Sequence, residues 1–75
     1  MSLKSLNTLD PGDIAVIKEF VGNDRLQSRL VEMGALPGMQ VRMIKKTPFH
    51  GPVEVKIRSC HLSIRFWDAN QILVS

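Results

Sequence analysis

The chain has 75 residues, and its ten Lys and Arg against seven Asp and Glu give a formal net charge of +3. A domain usually takes roughly 100 to 200 residues, so this length leaves room for one small core and excludes a cofactor-binding α/β enzyme. The hydrophobic fraction of 44% and the charged fraction of 23% are ordinary for a globular protein and argue against disorder. We therefore expect a single domain over residues 1–75.

A turn and a strand are predicted first. Pro11 followed by Gly12 is typical of a turn, because proline presets φ and glycine tolerates a positive φ. Residues 13–20 are rich in β-branched side chains and contain no Gly or Pro, which predicts a strand. Its apolar residues fall on both faces, so the alternation does not show which face points inward.

A short helix is predicted from about Arg25 to Met33. The side chain of Asn23 or Asp24 can cap it by accepting from the free N–H groups of the first turn. Gly34 stands at its end, where a left-handed residue closes a helix. The helix would pack on the core through Leu26, Leu30 and Met33.

The next two strands are predicted over residues 39–47 and 53–58. In the first of them Val41 and Met43 point inward, which leaves Ile44 outside, a conflict for an apolar side chain. The second alternates between apolar and charged residues without a fault, so one of its faces lies in the core and the other meets water or a partner.

The end of the chain carries two more candidate strands. Residues 62–67 alternate as well, which places Phe66 inward and Trp67 outward, and the apolar residues 72–74 can complete the sheet. About five short strands and one helix predict a mainly β fold, a small closed or nearly closed barrel with an inserted α-helix, because closure removes exposed strand edges.

The sequence carries few residues in catalytic or metal-binding patterns. It has no G-x-x-x-x-G-K-[ST] loop, no H-E-x-x-H and no C-x-x-C, so we expect a non-enzymatic protein without a cofactor. Cys60 and His61 are adjacent, but neighbouring strand residues point to opposite faces, so they could share a divalent transition metal only if the turn before them bends. We favour a buried cysteine beside a polar histidine, with His50 in a turn.

The lone cysteine and the hydropathy pattern bear on location. Cys60 cannot form an internal disulfide, which favours a reducing compartment. The longest apolar run, residues 14–17, is far shorter than the roughly 20 residues that span a bilayer. We therefore expect a cytoplasmic protein, held at a membrane only by a partner.

Basic residues concentrate between Arg42 and Arg65, where six Lys and Arg and one Glu give a local charge of +5. The rest of the chain then has a net charge of −2. Such a face attracts nucleic acid, an anionic membrane or an acidic protein patch, but it is also typical of the solvated face of a sheet. Exposed aromatic residues near cations are typical interface anchors. The candidate partner-binding residues are Arg42, Phe49, Arg65 and Trp67.

The segment 29–38, with its R-L-x-x-M-G pattern followed by P-G, closely resembles the ferrous iron transport protein A (FeoA) family. The resemblance continues in the same order at residues 9–12, 48–52, 62–65 and 69–74. It implies an SH3-like β-barrel with an inserted helix. Phe66 and Trp67 depart from the family pattern, in which charged residues are common at these positions.

The resemblance also implies a function: a cytoplasmic accessory protein of bacterial ferrous iron uptake. Such a protein would dock on the membrane permease, ferrous iron transport protein B (FeoB), through its cytosolic GTP-binding part and modulate its transport or GTPase activity. Two alternatives remain, a basic barrel that binds nucleic acid and a protein that binds or senses Fe(II) directly through His50, Cys60 and His61. The sequence leaves the oligomeric state open, a homo-oligomer included.

Overall fold

The computed structural model describes residues 3–22 and 24–75, and these form an antiparallel sheet of six strands with short helices. The elements are β1 (Lys4–Ser5), a 3-10 helix (Leu6–Thr8), β2 (Ile14–Phe20), α1 (Asp24–Glu32), β3 (Gln40–Lys46), β4 (Val53–Ile57), β5 (Cys60–Ile64), α2 (Phe66–Ala69) and β6 (Ile72–Val74). The predicted mainly β class is confirmed. No helix in this described part of the chain is long and apolar enough to cross a membrane.

The sheet runs in the order β1-β6-β2-β3-β4-β5, which leaves β1 and β5 at its two edges. It is therefore an open sheet, and it has one strand more than the five predicted. The additional strand, β1, is only two residues long, with Lys4 opposite Val74 and Ser5 opposite Leu73. Two residues carry no readable alternation, so the sequence pattern could not reveal this strand.

The core lies between the inner faces of the strands and α1. Strand β4 shows the predicted alternation, with its apolar side chains buried and Glu54 and Lys56 exposed. Leu26 and Leu30 of α1 are buried in the same core. The largest fully buried side chains are Leu6, Leu9, Ile17, Leu30, Met43, Ile72, Val41, Val53, Val55 and Val74.

Helix α1 ends at a glycine, as predicted. Gly34 has a φ of +89°, its N–H donates to the carbonyl of Val31, and the next N–H, of Ala35, donates to the carbonyl of Leu30. This pair of bonds is a Schellman motif, which satisfies the last free carbonyls of the helix. Met33 lies beyond the helix end and is 36% exposed, so its predicted place in the core was wrong. The predicted cap Asn23 lies outside the described residues.

Two β-bulges account for the irregular alternation of apolar residues in β2 and β3. Between Ile17 and Glu19 the register of β2 against β6 shifts, and between Met43 and Lys45 the register of β3 against β4 shifts. Each shift inserts one extra residue, which reverses the faces of the residues that follow. Ile44 is the extra residue of β3 and is 37% exposed, as the alternation predicted.

Phe66 and Trp67 lie in α2, so their predicted place in a strand was wrong. The chain leaves β5 after Ile64, and the N–H of Asn70 donates to the carbonyl of Phe66 in a helical bond of 3.0 Å. The side-chain amide of Asn7 also donates to that carbonyl, at 2.9 Å, and ties the start of α2 to the 3-10 helix. The burial of Ala69 anchors the inner side of this helix.

Candidate docking surface

Three rings from two distant segments form a cluster on the surface. The His50 ring stacks on the Phe66 ring, with centroids 4.4 Å apart and planes inclined by 22°. Trp67 meets both rings edge to face, at 5.5 Å from His50 and 5.2 Å from Phe66. Stacked and edge-to-face arrangements at these separations are the favourable ones for aromatic pairs. We call His50, Phe66 and Trp67 the aromatic cluster.

The β3–β4 loop, residues 47–52, presents Phe49 beside this cluster. Phe49 and His50 both adopt the left-handed region, with φ of +60° and +59°, which is uncommon for residues other than glycine. A Cβ at Gly51 would lie 2.5 Å from Cγ2 of Thr47, so this tight loop also requires a glycine there. Phe49 is 98% exposed and packs on nothing in its own chain.

The register of the sheet brings three of the predicted partner-binding residues to one end. Val53 at the start of β4 pairs with Ile64 at the end of β5, so the loop before β4 and the helix after β5 are neighbours. Phe49 comes from that loop, whereas Arg65 and Trp67 stand at the start of α2, where both are exposed. The structure thus supports grouping Phe49, Arg65 and Trp67 on one surface.

Arg42, the fourth predicted residue, lies elsewhere. It pairs with Ile14 of β2 and Lys56 of β4 on the outer face of the sheet. A depression of about 500 Å³ opens there, lined by the side chains of Ile14, Met39, Gln40, Arg42, Lys56 and Arg58. Strand β4 runs from the aromatic cluster towards this basic depression, and its five residues cover roughly 16 Å. The predicted residues therefore belong to two separate surfaces.

Several residues of these surfaces were not among the predicted partner-binding residues, His50, Lys56 and Arg58 among them. His50 was expected in a turn, with Fe(II) binding as an alternative, and nothing local shows that its ring meets Phe66 across the fold. Lys56 and Arg58 were expected to face outward, and they do, but their meeting with Arg42 depends on the register between β3 and β4. Long-range register is the information that a single sequence does not carry.

The candidate metal ligands are dispersed. Cys60 and His61 begin β5 and pair with Ile57 and Lys56 respectively, and both side chains are exposed. The predicted burial of Cys60 was therefore wrong, because the two-residue turn at 58–59 ends before it and leaves it on an edge strand. Within residues 3–22 and 24–75, no group of three or more His, Cys, Asp or Glu side chains could hold a metal ion.

A protein-family model matches most of the chain. The model of the FeoA domain matches residues 4–75. A curated relative from Porphyromonas gingivalis, an Fe(2+) transport protein A/Fe(2+) transporter FeoB fusion protein, is 33% identical over 69 residues. That alignment covers 92% of this chain and 8% of the relative.

Solved structures resemble the whole fold. The solution structure of iron(II) transport protein A from Clostridium thermocellum is 31% identical, with a TM-score of 0.87 over 95% of this chain and 44% of that one. A manganese-dependent transcriptional repressor complexed with manganese matches with a TM-score of 0.91 at 17% identity, over 100% of this chain and 37% of that one. The second likeness shows the fold alone. With its family match over residues 4–75, the chain belongs to the FeoA domain family.

Proposed function

We propose that this protein is a non-enzymatic accessory protein of ferrous iron uptake, which docks on the FeoB permease and modulates its transport or GTPase activity. It acts on the cytoplasmic side of the membrane, where the GTP-binding part of the permease is accessible. Ferrous iron is the cargo of the permease in this proposal and is not a resident ligand of the chain.

The relative from Porphyromonas gingivalis carries this proposal. In that protein a segment similar to this chain and an Fe(2+) transporter are parts of one polypeptide. A covalent link raises the effective concentration of one part around the other, which favours their association without any new contact. We infer that the separate chain meets the permease through a surface of its own.

The surface formed by Phe49, Arg65 and Trp67 is suited to such docking. Phe49 is 98% exposed and Trp67 is 64% exposed, so both can lose apolar area to a partner. Aromatic residues buried in dry pockets often contribute most of the binding energy of a protein interface. An Arg at the rim of the interface adds polar contacts. The stack of His50 on Phe66 orients the loop before any partner arrives, which lowers the entropy lost on binding.

The test is an uptake experiment in cells that lack the gene for this chain and retain the permease gene of the same genome. Uptake of radiolabelled Fe(II) is measured in these cells with and without the chain. GTP hydrolysis is measured with the purified permease in nanodiscs, again with and without the chain. We expect the wild-type chain to change both rates and the Phe49→Ala, Trp67→Ala double variant to leave both near the values without the chain. Rates that do not respond to the wild-type chain would contradict the proposal.

A further inference from the structure

We propose that the basic depression binds an acidic peptide segment of the partner. This inference rests on the proposed function only for the identity of the partner. It concerns Ile14, Met39, Arg42, Lys56 and Arg58, which lie apart from the aromatic cluster. The two surfaces would engage different parts of the same permease.

The cations of the depression are placed against each other. Arg42 of β3 and Lys56 of β4 are direct cross-strand partners on the outer face. Like charges in this position repel, and the repulsion destabilises the sheet unless an anion lies between them. Arg58 follows two residues after Lys56 and lines the same depression. A bound anion would offset this repulsion, because it attracts each of the cations.

No acidic side chain of the described residues neutralises these cations. The one ion pair within residues 3–22 and 24–75 joins Arg29 to Asp68, at 3.9 Å. Glu54 of β4 is the cross-strand partner of Lys45, two pairs further along the strand than Arg42 and Lys56. Asp13, next to Ile14, accepts the N–H of Asp10 at 3.0 Å and so takes part in its own turn. The positive charge of the depression is therefore available to a partner.

The lining of the depression favours a peptide over a phosphate. Ile14, which is 49% exposed, and the half-buried Met39 give it an apolar part that a peptide side chain can cover. The backbone of Gly38 also lines the depression, but its N–H already donates to the carbonyl of Ile17 at 2.7 Å, so it is not free to bind a phosphate. The guanidinium groups of Arg42 and Arg58 can bind a carboxylate through two parallel hydrogen bonds, as they can a phosphate, so the preference for a peptide rests on the apolar part of the lining.

The three cations come from different positions around the depression. Arg42 and Lys56 lie opposite each other on neighbouring strands, with Cβ atoms about 4.5 to 5.5 Å apart. Arg58 lies in the turn after β4, with a φ of +57°. A peptide segment with several carboxylates can therefore contact more than one of these cations. Single-stranded nucleic acid would require aromatic rings among the cations for base stacking, and the aromatic cluster lies at the other end of β4.

The experiment is a titration of the full chain, labelled with ¹⁵N, with a Glu-Leu-Glu-Leu-Glu peptide. The peptide in which Gln replaces each Glu and an oligothymidine are titrated in parallel. The variants are Arg42→Gln, Lys56→Gln and Arg58→Asn, the last chosen because Asn tolerates the φ of +57° at this position. Lys45→Gln is the matched control, because it removes one positive charge from β3 beside Glu54 and outside the depression.

We expect the acidic peptide to shift the amide signals of residues that line the depression, and the Gln peptide to shift none. Each of the three variants should weaken binding about threefold, and all three together tenfold or more, whereas Lys45→Gln should change it less than twofold. Absence of binding at low salt, or an equal loss in the control, would overturn the proposal. Tighter binding of oligothymidine through the same residues would overturn it in favour of nucleic acid.

A second measurement separates this inference from the proposed function. The triple variant and the wild type are titrated against the full-length permease in nanodiscs. Weaker binding of the triple variant supports the inference, and equal binding of both contradicts it while leaving the proposed function intact. If the wild type does not bind the permease at all, the assignment of the partner falls, and the peptide titration still decides whether the depression recognises carboxylates.

Discussion

The imidazole ring of His50 lies on the ring of Phe66, with centroids 4.4 Å apart, and so joins the β3–β4 loop to α2. An aromatic pair of this kind contributes about 0.5 to 1.5 kcal/mol beyond the area it buries. The loop needs this contribution, because left-handed residues such as Phe49 and His50 cost about 1 to 3 kcal/mol each. The orientation of the exposed Phe49 ring thus depends on a contact that its neighbour makes.

The first prediction concerns His50→Ala. Loss of the stack should lower the free energy of unfolding by about 1 kcal/mol and speed amide hydrogen exchange in residues 47–52. Chemical denaturation and exchange measured by NMR test this. His61→Ala is the control, because His61 is an exposed histidine of β5 outside the cluster. Equal effects of the two substitutions would show that the stack does not order the loop.

The second prediction separates stability from binding at Phe49. Because the ring is 98% exposed, Phe49→Ala should change the free energy of unfolding by less than about 0.5 kcal/mol. Its affinity for the permease should nevertheless fall about tenfold, as expected for an aromatic anchor. Val31→Ala removes an apolar side chain that is 44% exposed on α1, and it should leave the affinity unchanged. A similar loss for both variants would argue against a specific anchor.

The third prediction tests the bulge in β3. Met43 is fully buried and the adjacent Ile44 is the extra, partly exposed residue. Met43→Ala should therefore cost about 2 to 5 kcal/mol, whereas Ile44→Ala should cost less than about 1 kcal/mol. Urea denaturation of both variants gives the comparison. A larger loss at Ile44 than at Met43 would show that the register of β3 differs from the one described.

The fourth prediction concerns the end of α1. Gly34 has a φ of +89°, and a Cβ there would meet nothing within 4 Å, so Gly34→Ala would be penalised by the backbone alone. We expect a loss of about 1 to 2 kcal/mol in the free energy of unfolding. Gly34→Asn should cost less, because Asn tolerates the left-handed region better. A neutral Gly34→Ala variant would mean that the Schellman motif contributes little.

Local chemistry allowed part of the fold to be predicted. The alternation of β4 and the glycine after α1 are short-range signals, and both predictions were confirmed. The alternation of residues 62–67 led to a wrong strand prediction, because Phe66 and Ala69 also follow the spacing of three that suits a helical turn. In α2 Ala69 is buried, and Trp67 is exposed as expected but on a helix instead of a strand.

The candidate site depended more on long-range pairing than on local pattern. Residue type was sufficient to single out Phe49 and Trp67 as exposed aromatics, and the structure leaves both exposed. Whether they share a surface depends on the pairing of Val53 with Ile64, and the separation of Arg42 from them depends on its pairing with Lys56. Neither pairing can be deduced from residues close in sequence, since a shift of one residue would reverse the faces.

In the proposed function, this chain docks on the permease through the surface around Phe49 and Trp67. The most direct test is biolayer interferometry with the full-length FeoB permease of the same genome in nanodiscs. We expect saturable binding of the wild-type chain and an affinity at least about tenfold lower for the Phe49→Ala, Trp67→Ala double variant, with Val31→Ala equal to the wild type. Equal affinities of the wild type and the double variant, or no binding of the wild type at low salt, would contradict it.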